Sequence, residues 1–356
     1  MTMRADDALL LDAIDKKLLG RSFEAILKRD RNAPTVFLLC THEWGNLGDL
    51  AINYNAVALL ESAFPDRPVF AISRSALAAN WQRLTDAVDA HDLIAVNGGG
   101  NLGDLWPHEE AARLAVVARF PHNRIVSLPQ SIHFRDTANL RASMAAYDRH
   151  PRLLLTVRDD PSLDIARSHL AEESVVRAEE LATRQLYPFP FRPRLSRTLF
   201  AERADLERRP GSRIAELRAA AADAGIRTVV TDTVVPDVRF SNLELGAKLV
   251  YDKIDEFHAS DLVVTDRLHG ALFALIAGRP VVVFENSYGK IGAALRSLVP
   301  AFAERIVFAD DMAIQDLLSR MHGLASLEDS AVRPADVLSD AHRRFELRLR
   351  EFAAVD

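Results

Sequence analysis

A single cysteine, Cys40, leaves the chain no internal disulfide, which excludes a disulfide-stapled scaffold and favours a reducing compartment. Cys40 ends the apolar run Val36-Phe37-Leu38-Leu39-Cys40 and reads as a packed core thiol, not a nucleophile. No run approaches the roughly 20 apolar residues that span a bilayer. Asp6, Asp7, Asp12 and Asp15 interrupt the first apolar residues, and no small-residue cleavage site follows, so a signal peptide is not expected. Together these absences predict a cytoplasmic protein, at most peripheral to the inner membrane face. Lysine is also scarce. Only Lys16, Lys17, Lys28, Lys248, Lys253 and Lys290 contribute to the 44 basic residues, so arginine carries the positive charge and Lys290 stands out. The net charge of −6 argues against nucleic acid as a partner. The eleven histidines show no paired His-x-x-x-His spacing, and no metal is expected.

What is present is an ordinary globular composition, 49% hydrophobic and 26% charged, over 356 residues, a length suited to two domains of roughly 150 residues. Short apolar runs alternate with helical patterns, the signature of α/β layers with parallel strands. An amphipathic helix is predicted over 8–30, with Leu10, Ile14, Leu18, Ile26 and Leu27 on one side. Strands are predicted at 35–40, 92–97, 124–128 and 152–157. The segment Tyr187-Pro188-Phe189-Pro190-Phe191-Arg192-Pro193 cannot continue a helix and reads as an interdomain linker. Beyond it, strands at 227–231, 261–265 and 280–284 alternate with helices near 212–224, 242–258 and 269–277. The expected division is a first domain over 1–187, a linker over 188–194, a second domain over 195–334, and a C-terminal helix over 335–356 that packs back on the first domain. In that helix Phe345, Leu349 and Phe352 share a face.

One six-residue string occurs twice: Gly45-Asn46-Leu47-Gly48-Asp49-Leu50 and Gly100-Asn101-Leu102-Gly103-Asp104-Leu105. Both copies are expected between a strand and a helix, where glycines let the backbone approach a ligand and the helix aims free N–H groups at it. Asp49 and Asp104 would then act as bases or hydroxyl acceptors, or merely cap their helices. Gly98-x-Gly100-x-x-Gly103 also fits the dinucleotide fingerprint, but that fingerprint wants an acidic residue at the next strand end. Here the strand ends in Val126-Ser127-Leu128-Pro129-Gln130, and the nicotinamide reading is set aside.

The sharpest segment is Val263-Val264-Thr265-Asp266-Arg267-Leu268-His269-Gly270, in which a hydrophobic strand delivers Asp, Arg and His to the sheet end where open α/β folds bind ligands. Arginine offers a planar fork to carboxylate or phosphate, and histidine carries protons near neutral pH. Thr156-Val157-Arg158-Asp159 puts an arginine at another strand end. Asn286-Ser287-Tyr288-Gly289-Lys290 offers donors suited to phosphate. The arginines at 192, 194, 197, 203, 208 and 209 read as a solvated face, or else as a surface for acidic lipid headgroups or a pyrophosphate-linked acceptor.

Taken together, Gly45 to Ile52, Gly98 to Gly100, Thr156 to Asp159, Thr265 to Gly270, and Tyr288 with Lys290 resemble the polysaccharide pyruvyltransferase family, in an order that spans about residues 36 to 292. The resemblance implies two Rossmann-like domains in a GT-B-like arrangement with a cleft between them. It also implies transfer of the enolpyruvyl unit of phosphoenolpyruvate onto a sugar as a cyclic ketal, in bacterial exopolysaccharide or cell-surface polysaccharide synthesis. By that resemblance Arg158, Arg267 and His269 match functional positions. Where the family has a Pro-Asp pair before an apolar helix, this chain has Glu179-Glu180, which keeps the charge on a longer arm.

On this reading His269 is the general acid/base, Asp49 activates an acceptor hydroxyl, and Arg267 stabilises the leaving charge. Asn46, Gly48, Gly99, Gly100, Asn101, Asp104, Gln130, Arg158, Leu268, Ser287, Tyr288 and Lys290 are expected to bind substrate. Phosphoenolpyruvate enters as donor and no cofactor is required; the partner is a saccharide acceptor, lipid-linked where it meets the membrane. The alternative reading is a GT-B glycosyltransferase with a nucleotide-sugar donor, since the architecture would be shared.

Overall fold

A computed structural model describes residues 23–184, 193–205, 207–239, 243–287 and 289–354. Most of the helix expected over 8–30, the greater part of the linker over 188–194, and Tyr288 lie outside these residues. Of the expected N-terminal helix face, Ile26 is buried, whereas Leu27 is exposed.

Two parallel sheets organise the chain. The first contains β1 (Val36–Thr41), β3 (Val69–Ser73), β4 (Leu93–Val96), β5 (Gly99–Gly103), β6 (Arg124–His133), β7 (Leu153–Val157) and β8 (Val175–Arg177). Their order is β3-β1-β4-β6-β7-β8, with β5 pairing β6 further along its length. The second contains β9 (Thr198–Ala201), β10 (Thr228–Thr231), β12 (Leu262–Thr265), β13 (Val281–Val283) and β14 (Ile306–Phe308), in the order β10-β9-β12-β13-β14. Strands β1, β4, β7, β9, β12 and β13 are buried along their whole length, which is why their sequences are continuous apolar runs without polar alternation. The two Rossmann-like domains face each other across a cleft, as in GT-B proteins.

In both sheets the chain first steps outward and then reverses across its first strand. The order therefore switches between β1 and β4 in one domain and between β9 and β12 in the other. Helices leave opposite faces at such a point and open a crevice beyond the strand ends, where α/β proteins bind ligands.

Between the sheets runs a two-stranded antiparallel ribbon that sequence periodicity gave no sign of. β2 (Trp44–Asn46) from the first domain pairs with β11 (Val234–Arg239) from the second, with Trp44 opposite Arg239 and Asn46 opposite Val234. The Leu47 N–H continues the pairing to Thr233 O at 2.8 Å. Three residues are too few to show a period of two, and their partner lies nearly 200 residues on.

Helix α1 (Leu47–Ala63) is buried on nearly every side and belongs to both domains. Leu47, Leu50 and Ala51 join the core of the second domain with Val250, Ile254 and Leu268, while Ile52, Ala56, Leu59 and Leu60 pack under the first sheet. The C-terminal helix, Ser339–Ala354, lays Phe345 and Leu349 into that same cluster. Its Glu346 accepts from Ser62 Oγ at 3.0 Å, and its Arg350 donates to Ser62 O at 2.8 Å. Among the described residues no helix is long and apolar enough to cross a membrane.

Candidate functional site

The two switch points face each other and enclose a cavity of about 420 Å³. After β1 come His42 and Glu43; beyond β4 come Gly100 and Asn101. After β9 come Arg203, Asp205 and Glu207; after β12 come Arg267, Leu268 and His269. All of these line the cavity, together with Asn46, Asp49, Arg158 and Lys290.

The cations converge where one wall has no side chain. A Cβ on Gly100 would stand 2.6 Å from Arg158 Nη2 and 3.2 Å from Lys290 Nζ, so glycine there leaves both head groups room. Arg158 is almost wholly buried; its Nε donates to Ser131 Oγ at 2.8 Å, and its Nη1 pairs with Glu180. Lys290 Nζ lies 2.6 Å from Glu207 Oε2, and Arg203 Nη1 lies 2.8 Å from the same oxygen. Arg267 pairs with Asp205 at 2.6 Å through Nη1 and with Asp232 through Nη2 at 2.7 Å.

These pairs set the local charge. Burial alone would push the Glu180 carboxyl up, but Arg158, then His269 and the Ala182 N–H, outweigh it and hold it far below the usual carboxylate range. Glu207 is held down in the same way, with Lys290 and Arg203 overcoming its burial. Burial lowers Lys290, only partly offset by Glu207 and reinforced by Arg158. Asp266 behaves oppositely. Burial raises it to about 6 against the Arg203 N–H and the charges of Arg203 and Arg267. Its Oδ1 accepts the Arg203 N–H at 2.9 Å, so it shapes the loop after β9 from behind the cavity wall.

His269 sits in the first turn of the helix Leu268–Ile276 with its Nε2 3.8 Å from Glu180 Oε1. Gly48 lies directly beneath it: a Cβ there would overlap the imidazole. Asn46 caps α1, its Oδ1 accepting the Gly48 N–H at 3.2 Å, which leaves Asp49 in the first helical turn and on the cavity wall. The capping role that was the alternative reading for Asp49 is thus taken by Asn46.

Several expected contacts lie elsewhere. Asp104 is off the cavity wall; its carboxylate accepts the N–H groups of Arg135 at 2.8 Å and Asp136 at 2.9 Å. Its loop is no helix N-terminus, because Gly99–Gly103 continues as strand β5 and the next helix begins at Pro107. Gln130 is completely buried and donates to Asn97 O at 2.6 Å, bracing the turn after β4 from below. Gly99, at φ 151°, faces His42, not the cavity. Ser287 is exposed and off the wall, and only its backbone N–H reaches the site, donating to Glu207 O at 3.2 Å.

Sequence reasoning missed Arg203, Asp205 and Glu207 because it missed β9. The four residues Thr198-Leu199-Phe200-Ala201 are all buried, but they stand inside the arginine-rich stretch and were absorbed into it. In that stretch Arg194 pairs with Asp261, Arg209 with Asp310, and Arg203 is buried in the cavity. A short apolar run between charges was the available signal. His42, Arg74 and Trp106 also line the cavity and carried no motif. Among the described residues no three His, Cys, Asp or Glu side chains converge to hold a metal ion.

Several known proteins are similar to this chain. General stress protein 30 of Bacillus subtilis is 27% identical over 315 residues, covering 87% of this chain and 90% of that one. Pyruvyl transferase 1 of Schizosaccharomyces pombe is 28% identical over 210 residues, covering 56% of this chain and 52% of its own. A solved structure of an uncharacterised protein from Klebsiella pneumoniae shares the fold, with a TM-score of 0.57 at 17% identity over 83% of this chain and 98% of that one. The profile of the polysaccharide pyruvyl transferase family matches residues 46–288, from the cap of α1 to the loop before Lys290. That span includes the facing strand ends after β4, β9 and β12, and the chain belongs to the polysaccharide pyruvyl transferase family.

Proposed function

We propose that the protein transfers the enolpyruvyl unit of phosphoenolpyruvate onto two hydroxyls of a saccharide as a cyclic ketal, in the synthesis of an exopolysaccharide or cell-surface polysaccharide. The observation that carries this reading is the convergence of Arg158, Arg203, Arg267 and Lys290 on one cavity with His269 and Asp49. These four cations, which Glu180, Glu207, Asp205 and Asp232 hold in place, suit a small donor that bears both a carboxylate and a phosphate, the groups that guanidinium and ammonium bind.

The chemistry balances with one proton acceptor and one donor. His269 protonates the methylene carbon of the enol, and the adjacent carbon takes up the first hydroxyl oxygen while Asp49 accepts or orients its proton. The C–O bond to phosphate breaks, and phosphate leaves toward the arginines and Lys290, which meet the charge that develops on it. The second hydroxyl closes the ring, and its proton leaves with phosphate or returns through His269. Glu180 pairs with Arg158 and brings its other oxygen within 3.8 Å of the His269 imidazole, so the longer acid at this position reaches between the two groups. The donor is consumed as a substrate and the scheme uses no cofactor. A cytoplasmic site, with the acceptor carried on a lipid at the inner membrane face, completes this reading.

Thermal unfolding with phosphoenolpyruvate, UDP-glucose or NAD added separately tests it. A ligand at 100 times its Kd stabilises a fold by about 2.7 kcal/mol, which for a domain of roughly 150–250 residues raises Tm by roughly 5–10 °C. A shift with phosphoenolpyruvate, reduced in Arg267→Lys because a point charge replaces the fork, is the expected result. A shift with UDP-glucose alone would replace this reading with a glycosyltransferase.

A further inference from the structure

The cavity has a second kind of wall. Of the three tryptophans, Trp81 packs edge-on against Phe120 at 6.1 Å, but Trp44 and Trp106 both line the cavity. Trp44 is 56% exposed, the most exposed of the large hydrophobic side chains described. An indole left open beside a charged cleft costs apolar hydration, so its exposure there is informative.

Its setting is rigid. Trp44 lies on β2 opposite Arg239, and Arg239 Nη2 reaches back 2.8 Å to Oε1 of Glu43, the residue before it. Glu43 is itself buried and accepts the Ser75 N–H at 3.0 Å. Both strands therefore fix the backbone beneath the indole. Trp106 stands at the start of the helix Pro107–Arg119, edge-on to His108 at 6.4 Å, with its Nε1 3.5 Å from Glu207 Oε1. Next to it Glu109 lies 3.2 Å from Arg74 and 3.6 Å from His108, so the wall that carries the two indoles also carries polar side chains with hydrogen-bonding capacity.

We infer that Trp44 and Trp106 form the acceptor subsite, on which the apolar C–H face of a pyranose ring stacks while Arg74 and Glu109 bind its hydroxyls. This inference rests on the pyruvyl-transfer reading and adds to it the residues that recognise the acceptor. The division of labour follows the chemistry of the two substrates. A small polyanion needs the cations over Gly100, whereas a neutral sugar offers only hydroxyls and a weakly apolar face, which flat aromatic rings and a few polar groups match. Trp106 touches both regions through Glu207, which also holds Lys290, so the acceptor ring is brought beside the donor anion.

The test measures phosphate release from phosphoenolpyruvate with p-nitrophenyl β-glucoside, β-galactoside and N-acetyl-β-glucosaminide as acceptors, in the wild type and in Trp44→Ala, Trp44→Phe and Trp106→Ala. Trp44→Ala should raise the acceptor KM about 3–10-fold, the scale of one lost aromatic contact, and Trp44→Phe should recover most of it. The Tm shift with phosphoenolpyruvate should be unchanged in Trp44→Ala, a readout that a folding defect would move. Wild-type acceptor KM in Trp44→Ala and Trp106→Ala overturns the inference but leaves pyruvyl transfer standing. So does a wild-type protein that binds phosphoenolpyruvate yet turns over none of the three glycosides and shows no tryptophan fluorescence change with any of them. Absence of a phosphoenolpyruvate shift in the wild type would instead remove the reading beneath it.

Discussion

The strings Gly45–Leu50 and Gly100–Leu105 are letter-for-letter the same, and the molecule puts them to different uses. In the first copy Asn46 caps a helix, Gly48 makes room for His269, and Asp49 faces the cavity. In the second, Asn101 accepts from Arg113, Gly103 adopts φ 151° against His133 O, and Asp104 ties down the turn after β6. The difference comes from what each copy meets. The first runs on from the interior strand β1 and pairs with β11 of the other domain; the second stays with β6. An identical local preference is thus resolved by its partners, because three to five residues carry too little intrinsic bias to outweigh a ladder of backbone hydrogen bonds.

The glycines offer the strongest way to break this comparison. Gly48→Ala places a methyl group on the His269 imidazole and 2.6 Å from its Cβ, so kcat should fall toward the level of His269→Ala, a loss of roughly 10²–10⁴-fold, and the unfolding midpoint should fall with it. Gly103→Ala meets backbone at a left-handed φ, and urea unfolding should show a loss of about 2–4 kcal/mol. Equal effects of the two on activity relative to stability would mean the copies do the same job.

The aspartates sharpen it. Asp49→Asn should reduce kcat roughly 10²-fold with the fold intact. Asp104→Asn should leave kcat within about 2-fold and cost about 1 kcal/mol of stability, since it replaces a charged acceptor of two backbone N–H groups at a half-exposed turn. Loss of turnover in Asp104→Asn would return that residue to the site.

Asp266 provides a pH signature. Its folded value of about 6 lies above the ordinary 3.8, so the folded state holds a proton that the unfolded chain has released across that window. Its contribution to stability is therefore present below about pH 4 and lost as pH rises through 6. Asp266→Asn carries no such loss. The stability of the variant relative to the wild type should rise by on the order of 2–3 kcal/mol between pH 4 and pH 7. A pH-independent difference would show that Asp266 titrates alike in the folded and unfolded chain.

Much of this was legible in the letters. Strands β1, β4, β6, β7, β12 and β13 sit where continuous apolar runs predict them, because strands buried on both faces need no polar residue. Arg158, Arg267 and His269, singled out by their place after strands, and Lys290, singled out by the loop before it, all line the cavity. The residues that escaped share one property: their signal is non-local. β9 hides among arginines that find their acids on other segments, β2 is defined by a partner strand in the other domain, and Trp44 gains its meaning only from facing a cavity. Asp104 and Gln130 erred the other way, since a polar residue beside a glycine loop looks the same whether it faces a ligand or braces the turn behind it.

The sequence by itself determined two layers of parallel α/β structure and the charged residues delivered to their C-terminal edges, because hydrophobic periodicity and strand-end position are local properties. Only the tertiary structure decided which of two identical loops presents its aspartate to the cavity, which arginine joins Lys290 there, and which tryptophans line it. Those choices depend on the pairing of β2 with β11 and the packing of one helix into two cores, contacts between residues nearly 200 positions apart that no local pattern encodes.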